Sequence, residues 1–208
     1  RVAVTGVGCV SPVGLDAQQT WKALVRGDSG ISPISRFDAS ELPSRIAGEA
    51  SGFDASVRLS PKDLRKMDRF VQLGVVAGLE SLEASGVDIE RVNPDRVGVV
   101  VGAGIGGLET IEATTTSYAE KGHKRISPFY IPSSIINMVS GNLSIMIGAR
   151  GPNLSIVTAC TTGTHCIGIA ARQIQYGDCD VMIAGGTEAA ITPTSMAGFA
   201  AARALSRR

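Results

Sequence analysis

The chain has 208 residues, of which 44% are apolar and 19% are charged, so it is long enough to bury a sizeable core. A net charge of +1 and an aromatic content of 4% give no support to nucleic-acid binding, and no apolar run reaches the ~18–20 residues that span a bilayer. The four cysteines form no C-x-x-C pair, which argues against a disulfide framework or a zinc site and favours a cytoplasmic protein.

The N-terminal quarter is predicted to contain a strand, a helix and a long irregular segment. The strand is a buried one at "RVAVTGVG", which enters a turn and does not resemble a signal peptide. The helix lies in "DAQQTWKALVRGDSG", with Asp16 as its N-cap, Gln19 at the capping-box position and Gly27 as its stop. Residues 29–57, rich in Ser, Gly, Pro and charge, are expected to form an irregular excursion.

A long helix is predicted to begin at Ser60, its N-cap, with Pro61 as the first helical residue. Apolar residues at helical spacing give it one face for the core, made of Leu64, Met67, Val71, Val75, Leu79 and Leu82. Basic residues form a second stripe, made of Lys62, Arg65, Lys66 and Arg69, and two more basic groups follow at Lys121, Lys124 and Arg125 and at Arg203, Arg207 and Arg208. These groups are either a solvated face, partly neutralised by Asp63 and Asp68, or a docking surface for an acidic protein.

The rest of the chain alternates strands with helices, which predicts an α/β fold with a largely parallel sheet. The strands lie in "DRVGVVVGAG", "NLSIVTA" and "DVMIAGGTEAA", and the helices between them include "IGGLETIEATTTSYAEKG" and "CTTGTHCIGIAARQIQYG". A Pro-broken loop and an apolar helix occupy "KRISPFYIPSSIINMVSGNLSIMIGARG". Because "ARALSRR" carries no sign of a domain end, we expect the chain to be part of a longer protein.

A glycine-rich turn, "GAGIGG", fits the G-x-G-x-x-G pattern of dinucleotide-binding sites between a strand and a helix. The acid that such sites carry about 20 residues later would be Glu120, which falls in a predicted helix and not at a strand end. We therefore favour the simpler interpretation that these glycines let the backbone pass close to another element or a ligand. The sequence contains no P-loop, H-E-x-x-H or EF-hand pattern, and we predict neither a cofactor nor a metal ion.

Cys160 stands where a predicted strand ends and a predicted helix begins. The strand would deliver the thiol to the carboxyl edge of the sheet, where open α/β folds place ligands. The free N–H groups and the positive dipole end of the helix would favour a thiolate and stabilise an oxyanion formed on a thioester. Most free cysteines are structural, so the alternatives are a nucleophile and a buried core residue, and Cys166 and Cys179 fit the second.

A basic partner for the thiol is missing. His165 lies five residues after Cys160, about 140° further round a helix, so the two side chains diverge and a structural His165 is favoured. His123 lies in the polar segment "EKGHKR" and is expected to be solvated. A Cys-His hydrolase is therefore a poor interpretation.

Several long segments of the sequence resemble those of the β-ketoacyl-acyl-carrier-protein synthases, in the same order. They are "VAVTGVGCVSPVG", "GAGIGGLETIE", "RISPFYIPSSIINMVSG", "GARGPNLSIVTAC", "TACTTGTH", "DVMIAGGTEAA" and "GFAAARALS". The most similar type is the elongating synthase II of bacterial fatty-acid synthesis. The resemblance implies a thiolase-like fold, layered αβαβα in the complete enzyme, and a homodimer. It also implies acyl transfer from acyl-carrier protein to a cysteine, then decarboxylative condensation with malonyl-acyl-carrier protein.

The resemblance also assigns roles to individual residues. Cys160 matches the nucleophile, with its own N–H as an oxyanion donor. Ile105 matches a gate of the acyl pocket, Phe199 a residue beside it, and Tyr130 a position that reaches the partner subunit's pocket; for Ile105 and Phe199 the alternative is core packing. The basic positions that meet the acidic carrier protein are matched by Lys62, Arg65, Lys66, Lys124, Arg125 and Arg203.

The family's catalytic histidines and lysine belong to its second half, and neither His123 nor His165 matches them. We therefore expect residues 1–208 to be the N-terminal half of a β-ketoacyl synthase domain whose C-terminal half is absent from this chain. Alone, this half should lack condensation chemistry. Two alternatives stay open: a ketosynthase of polyketide type and a non-catalytic acyl-binding dimer subunit. No nucleic-acid partner and no membrane insertion are expected.

Overall fold

A computed structural model describes residues 1–206, so Arg207 and Arg208 of the third basic group lie outside the described residues. The helices are α1 (Ala17–Arg26), α2 (Pro61–Leu64), α3 (Arg69–Ser85), α4 (Leu108–Lys121), α5 (Tyr130–Ser134), α6 (Met138–Ile147), α7 (Thr162–Tyr176) and α8 (Pro193–Ala201). The strands are β1 (Ile31–Pro33), β2 (Ile46–Gly48), β3 (Val97–Gly102), β4 (Asn153–Leu154) and β5 (Val181–Gly186). Single 3₁₀ turns occur at Ala55–Val57, Pro94–Arg96, His123–Arg125 and Ala159–Thr161.

The centre of the fold is a parallel three-stranded sheet in the order β4–β3–β5, which confirms the predicted α/β class. The middle strand, β3, is buried along its whole length, as expected for a strand covered on both faces. The crossovers from β3 to β4 and from β4 to β5 run in opposite directions across the sheet. Because such crossovers are right-handed, α7 covers one face while α3 and α6 cover the other.

The hydrophobic core lies between β3, α3 and α6. The predicted apolar face of the long helix is confirmed, because Met67, Val71 and Val75 are buried and the remaining members of that face pack against the same core. Two glycines of α3 let α6 approach closely. A Cβ atom on either would lie 2.6 Å from a side chain of α6, belonging to Val139 at Gly74 and to Leu143 at Gly78.

The first helix follows its predicted signals. The Asp16 side chain accepts the Gln19 backbone N–H at 2.6 Å, and Gly27 closes α1 in the left-handed region at a φ of 76°. The Glu80 carboxylate of α3 then accepts the backbone N–H groups of Cys9 and Ala17, both at 2.8 Å. The start of α1 and the segment before it are therefore tied to the core helix.

The predicted buried strand at residues 1–8 is wrong. Within the described part of the chain these residues join no sheet, and Val4 and Val7 are 82% and 59% exposed. The segment instead lies along α3, where Cβ atoms on Gly6 and Gly8 would fall 2.1 and 1.9 Å from carbonyl oxygens of that helix. Its glycines therefore face the helix and its valines face outward.

The predicted long helix is two helices, α2 and α3. Asp68 has extended backbone angles between them, and its side chain accepts the Phe70 N–H at 3.1 Å and the Thr110 N–H at 2.9 Å. Asp68 is 5% exposed, and these hydrogen bonds occupy its carboxylate in place of an ion pair with the basic stripe. A buried carboxylate that caps α3 and holds the start of α4 is more favourable here than one more helical turn.

The excursion at residues 29–57 is less irregular than expected, because β1 and β2 pair antiparallel from Ile31 opposite Gly48 to Pro33 opposite Ile46. The 5%-exposed Glu49 closes the segment by accepting hydrogen bonds from Ser35 and Arg36. Burial alone would raise the pKa of Glu49, but these hydrogen bonds outweigh it and hold the pKa below its usual value. No helix among residues 1–206 is both long enough and apolar enough to cross a membrane.

Candidate active site

The chain that leads to Cys160 leaves the sheet earlier than predicted. The strand expected through residue 159 pairs only over Asn153–Leu154. The reason is the buried Ser140 hydroxyl, which accepts the Val101 N–H at 2.9 Å and donates to the Leu154 carbonyl at 2.7 Å. These two backbone groups would otherwise form the next bond of the parallel ladder. From Ser155 onward the chain is irregular and free to turn at the carboxyl edge of the sheet.

Cys160 lies at the middle of the 3₁₀ turn Ala159–Thr161, and its side chain is exposed. The preceding residue, Ala159, has a φ of 51°, in the left-handed region that non-glycine residues rarely adopt. The long helix α7 begins at Thr162, two residues later than predicted. The thiol is therefore presented on a sharp strand-to-helix turn, as a nucleophile requires, and is not buried inside a helix.

Thr158 forms hydrogen bonds within this turn through three of its atoms. Its backbone N–H donates to the Thr162 hydroxyl oxygen at 2.9 Å, and its carbonyl accepts the Thr161 hydroxyl at 2.6 Å. Its own hydroxyl lies 2.7 Å from His165 Nδ1. The strained backbone at Ala159 is thus held by side chains on both sides of it.

The N-terminal end of α7 has no side-chain cap and is available to a negatively charged group. Thr161 is the N-cap residue, but its hydroxyl bonds to Thr158 and does not cap the helix. The hydrogen bonds of the turn use the N–H groups of Thr161 and Thr162, and neither uses that of Cys160. The positive end of the helix and the Cys160 N–H can therefore act on negative charge that develops beside the sulfur.

The structure brings neither histidine to the thiol as a base. The His165 ring bonds to a threonine hydroxyl, so its structural role is supported, with a side-chain partner in place of the backbone partner expected. His123 is exposed in the turn after α4. Within residues 1–206 no group of three or more His, Cys, Asp or Glu residues could hold a metal ion.

Cys166 and Cys179 are buried, as predicted, at 0% and 1% exposure. Burial raises the pKa of the Cys166 thiol, and burial together with the Asp178 carboxylate raises that of Cys179. Both residues are therefore thiols in the core, and they differ from Cys160 in exposure.

The glycine-rich turn at residues 102–107 packs beside the cysteine turn. A Cβ atom on Gly104 would lie 3.4 Å from the Ala159 Cα atom. Its backbone N–H groups are already occupied, because the Glu188 carboxylate accepts those of Gly104, Ile105 and Gly106 at 2.8, 2.9 and 3.2 Å. A dinucleotide phosphate would have to displace this carboxylate, which supports the interpretation of these glycines as close-approach residues.

The three residues matched to the acyl pocket lie on different elements. Ile105 is 40% exposed on the glycine-rich turn, close to the cysteine turn. Tyr130 is half-buried and begins α5, whose last residue, Ser134, accepts the Gly107 N–H at 3.0 Å. Phe199 is 45% exposed on α8, which the hydrogen bonds of Thr192 and Thr194 to Glu112 tie to α4. Ile105 and Tyr130 are thus joined through one turn, whereas these contacts do not include Phe199.

Residues 1–208 match a family model described as the N-terminal domain of β-ketoacyl synthase. The chain belongs to the β-ketoacyl synthase family. It is 55% identical over 208 residues to the 3-oxoacyl-[acyl-carrier-protein] synthase 2 of Vibrio cholerae, covering 100% of this chain and 50% of that protein. The chain therefore spans about half the length of the curated relatives it matches.

Solved structures of ketosynthases share the fold. A β-ketoacyl synthase from Burkholderia phymatum superposes with a TM-score of 0.87 at 26% identity, over 100% of this chain and 51% of that one. A type II polyketide ketosynthase, solved in complex with its acyl-carrier protein, gives a TM-score of 0.80 at 27% identity, over 96% of this chain and 53% of that one. The predicted thiolase-like α/β fold class is confirmed by these likenesses.

The matched basic residues of this β-ketoacyl synthase family member lie on three parts of the chain. Lys62 and Arg65 are exposed on and just after α2, and Lys66 places its ammonium 5.6 Å from the centre of the Phe129 ring. Lys124 and Arg125, both exposed, lie in the turn that precedes Phe129. Arg69 is not part of the predicted basic stripe, because its guanidinium lies over the Phe53 ring and donates to the Ala50 carbonyl.

Arg203 is exposed after α8, with a φ of 56°. It lines a shallow depression together with Pro43, Ser44, Ala200 and Leu205. None of these residues belongs to α2 or to the turn at residues 123–125, so these contacts do not join Arg203 to the other matched basic positions.

Glu188 is the residue of this site that sequence reasoning missed. It follows β5 by two residues, and its turn meets the turn after β3 at the carboxyl edge of the sheet. An acid directly after a parallel strand, at the edge that carries a glycine-rich turn, was the available signal.

Proposed function

We propose that the protein containing this chain is a β-ketoacyl-acyl-carrier-protein synthase of fatty-acid elongation. The observation that carries the proposal is the exposed Cys160 on a strained turn directly before α7. The 55% identity to a 3-oxoacyl-[acyl-carrier-protein] synthase 2 supports the same activity.

The first step is transfer of the acyl chain to Cys160. The thiolate attacks the carbonyl carbon of the acyl thioester on the carrier protein, a new carbon–sulfur bond forms, and the carrier thiol leaves as the old bond breaks. Between bond formation and bond breaking the carbonyl oxygen carries a negative charge, which the Cys160 N–H and the positive end of α7 would stabilise. The geometry of the turn supports this step because Thr161 leaves that helix end uncapped.

The second step is condensation. Malonyl-acyl-carrier protein loses carbon dioxide, and the resulting carbanion attacks the acyl carbon on Cys160, which releases the cysteine thiolate. The family's histidines and lysine serve this step, and we propose that they lie in a second half of the protein, with residues 1–208 as the N-terminal half. The 50% coverage of the Vibrio cholerae relative supports this division.

We propose that the acyl pocket is gated by Ile105 and flanked by Phe199 and, across a homodimer, by Tyr130. Exposure supports the proposal, because all three side chains reach the surface of this half and are available to line a pocket with another element. The path from Ile105 through Gly107 to the α5 residue Ser134 supports coupling between Ile105 and Tyr130.

We propose that the acidic carrier protein docks on the exposed basic residues. The exposed ones are Lys62, Arg65, Lys124, Arg125 and Arg203, and the half-buried Lys66 is the sixth matched position. The polyketide ketosynthase solved with its acyl-carrier protein supports docking of this class of partner on this fold. The reaction written above needs neither a cofactor nor a metal ion, and the four free thiols fit a cytoplasmic enzyme.

An elongation assay on the full-length protein tests the activity. With acyl- and malonyl-acyl-carrier protein, the wild type should release carbon dioxide and form the β-ketoacyl product, and Cys160→Ala should lose about 10³-fold or more in rate. Cys9→Ala, a change at another free cysteine, is the matched control and should keep its rate. Undiminished elongation by Cys160→Ala would rule out the proposed nucleophile.

The same assay distinguishes the polyketide alternative. Elongation of aromatic polyketide intermediates in preference to fatty acyl chains would support that alternative. The higher sequence identity to a 3-oxoacyl-[acyl-carrier-protein] synthase 2 than to the polyketide ketosynthase argues for fatty acyl chains.

A further inference from the structure

Three successive backbone N–H groups converge on one carboxylate at the edge of the sheet. Glu188 Oε2 accepts those of Gly104 and Ile105 at 2.8 and 2.9 Å, and Oε1 accepts that of Gly106 at 3.2 Å. Such a backbone nest binds anions, and hydrogen bonds to a carboxylate are roughly twice as strong as neutral ones. Here the anion is supplied by the chain itself.

The turn that Glu188 holds is rich in glycine. Three of its four residues, Gly104, Gly106 and Gly107, are glycines, and Gly106 has a φ of 86°. A glycine-rich segment has more backbone freedom than any other, so a single position for it needs bonds from outside. The side chain of Ile105 is 40% exposed and does not anchor the turn by burial.

The same turn touches both parts of the proposed acyl site. On one side Gly104 packs against Ala159, the strained residue before Cys160. On the other side Gly107 donates to Ser134 at 3.0 Å, and a Cβ atom on Gly107 would lie 2.4 Å from the Ser134 Cα atom. A shift of the turn would therefore move Ile105 relative to the thiol.

We propose that Glu188 is a positioning residue that sets the selectivity of the enzyme for acyl-chain length. Its carboxylate holds the backbone of Ile105 in one place, so the Ile105 side chain has one position from which to admit a long acyl chain. Without the carboxylate the turn, and Ile105 with it, takes several positions, so the entry of long chains, which must pass this side chain, is impaired more than that of short ones. This role rests on the proposed function, because it assumes that Ile105 gates an acyl pocket.

Hydrogen exchange tests the hold on the turn independently of any activity. In the full-length protein, Glu188→Ala should speed exchange of the amides of residues 104–106 by about tenfold, since three bonds to a charged group are lost. The exchange rate in Glu188→Gln should lie between those of the wild type and Glu188→Ala. The Gln amide oxygen can still accept two of the N–H groups, whereas its amino group faces the third. Glu90→Ala, a matched change at an exposed glutamate, should leave this exchange unchanged. Equal exchange in the wild type and Glu188→Ala would overturn the proposal.

Acylation rates then test the selectivity. For Glu188→Ala the ratio of kcat/KM for a long-chain over a short-chain acyl-carrier protein should fall about tenfold, mainly through KM for the long chain. In Glu188→Gln this ratio should fall by less, and in Glu90→Ala it should stay unchanged. A purely structural role would reduce both rates equally, so a ratio that stays within twofold, or rises, would refute the selectivity role. If the wild type accepts no acyl chain, the proposed function and the selectivity role fail together, while the exchange result still decides whether Glu188 holds the turn.

Discussion

Thr158 shows how single residues prepare the thiol. Its three polar atoms bond to Thr161, Thr162 and His165, and together these bonds hold the unfavourable φ of Ala159. A residue in the left-handed region costs of order 1 kcal/mol, which a few such bonds can offset. The outcome is an exposed sulfur in a fixed place.

Burial predicts a distinct order of reactivity among the cysteines. Iodoacetamide at pH 7–8 should label Cys160 at least about tenfold faster than Cys166 and Cys179, because both buried thiols have a raised pKa and hold their protons at this pH. Peptide mapping after brief labelling of the folded protein measures the three rates. Labelling of Cys166 at a rate similar to that of Cys160 would show that the described burial is wrong.

At the scale of elements, the position of the cysteine turn depends on how closely α7 meets β5. A Cβ atom on Gly186, the last residue of β5, would lie 2.9 Å from the Gly163 Cα atom in the first turn of α7. Only two facing glycines allow this approach, which sets the start of the helix against the end of the strand. The thiol owes its place at the sheet edge to this contact.

Gly186→Ala should therefore destabilise the protein by about 1–3 kcal/mol, because a backbone must move to admit the methyl group. The matched control is Gly198→Ala in α8, where no described atom outside the neighbouring backbone of the helix lies within 4 Å of the new Cβ atom, and it should stabilise by about 0.5–1 kcal/mol. Urea unfolding of the full-length variants gives both values. Equal stability of the two variants would contradict the close contact of α7 and β5.

Local signals predicted much of the fold, and long-range contacts explain the failures. The caps of α1 and the apolar face of α3 depend on neighbours in the sequence, and both are as expected. The break at Asp68, the short β4 and the role of Glu188 each depend on a partner at least 14 residues away. The turn at Cys160 lies between a strand and a helix as expected, because these elements are consecutive in the sequence. Glu188 also follows a strand, but its partner, the turn after β3, is more than 80 residues away.

At the scale of the whole molecule, a near-neutral chain presents a local basic surface. Net charge is +1, yet Lys62, Arg65, Lys124 and Arg125 are all exposed, and of the two acids expected to neutralise the stripe Asp68 is buried. Such a surface attracts an acidic partner over a distance of about one Debye length, ~8 Å at physiological salt. The proposed docking of acyl-carrier protein can therefore be tested apart from the proposed chemistry at the thiol.

Reversing the charge of Lys62 and Arg65 to Glu should weaken binding of acyl-carrier protein by about tenfold or more and reduce its salt dependence. Reaction with a small acyl thioester, which has no acidic surface, should be spared. Reversal of Lys22 and Arg91 changes the net charge equally in other exposed parts of the chain and serves as the control. Equal loss with both substrates would show that the residues serve folding and not docking.

The central claim, that Cys160 carries the acyl group, is tested most directly by mapping the acyl adduct. Full-length protein is incubated with acyl-acyl-carrier protein in the absence of the malonyl substrate, quenched in acid, digested and analysed by mass spectrometry. The account predicts one acyl group on the peptide that contains Cys160, as a thioester that hydroxylamine removes, and no such adduct in Cys160→Ala. An adduct on another residue, or one that persists in Cys160→Ala, would contradict it.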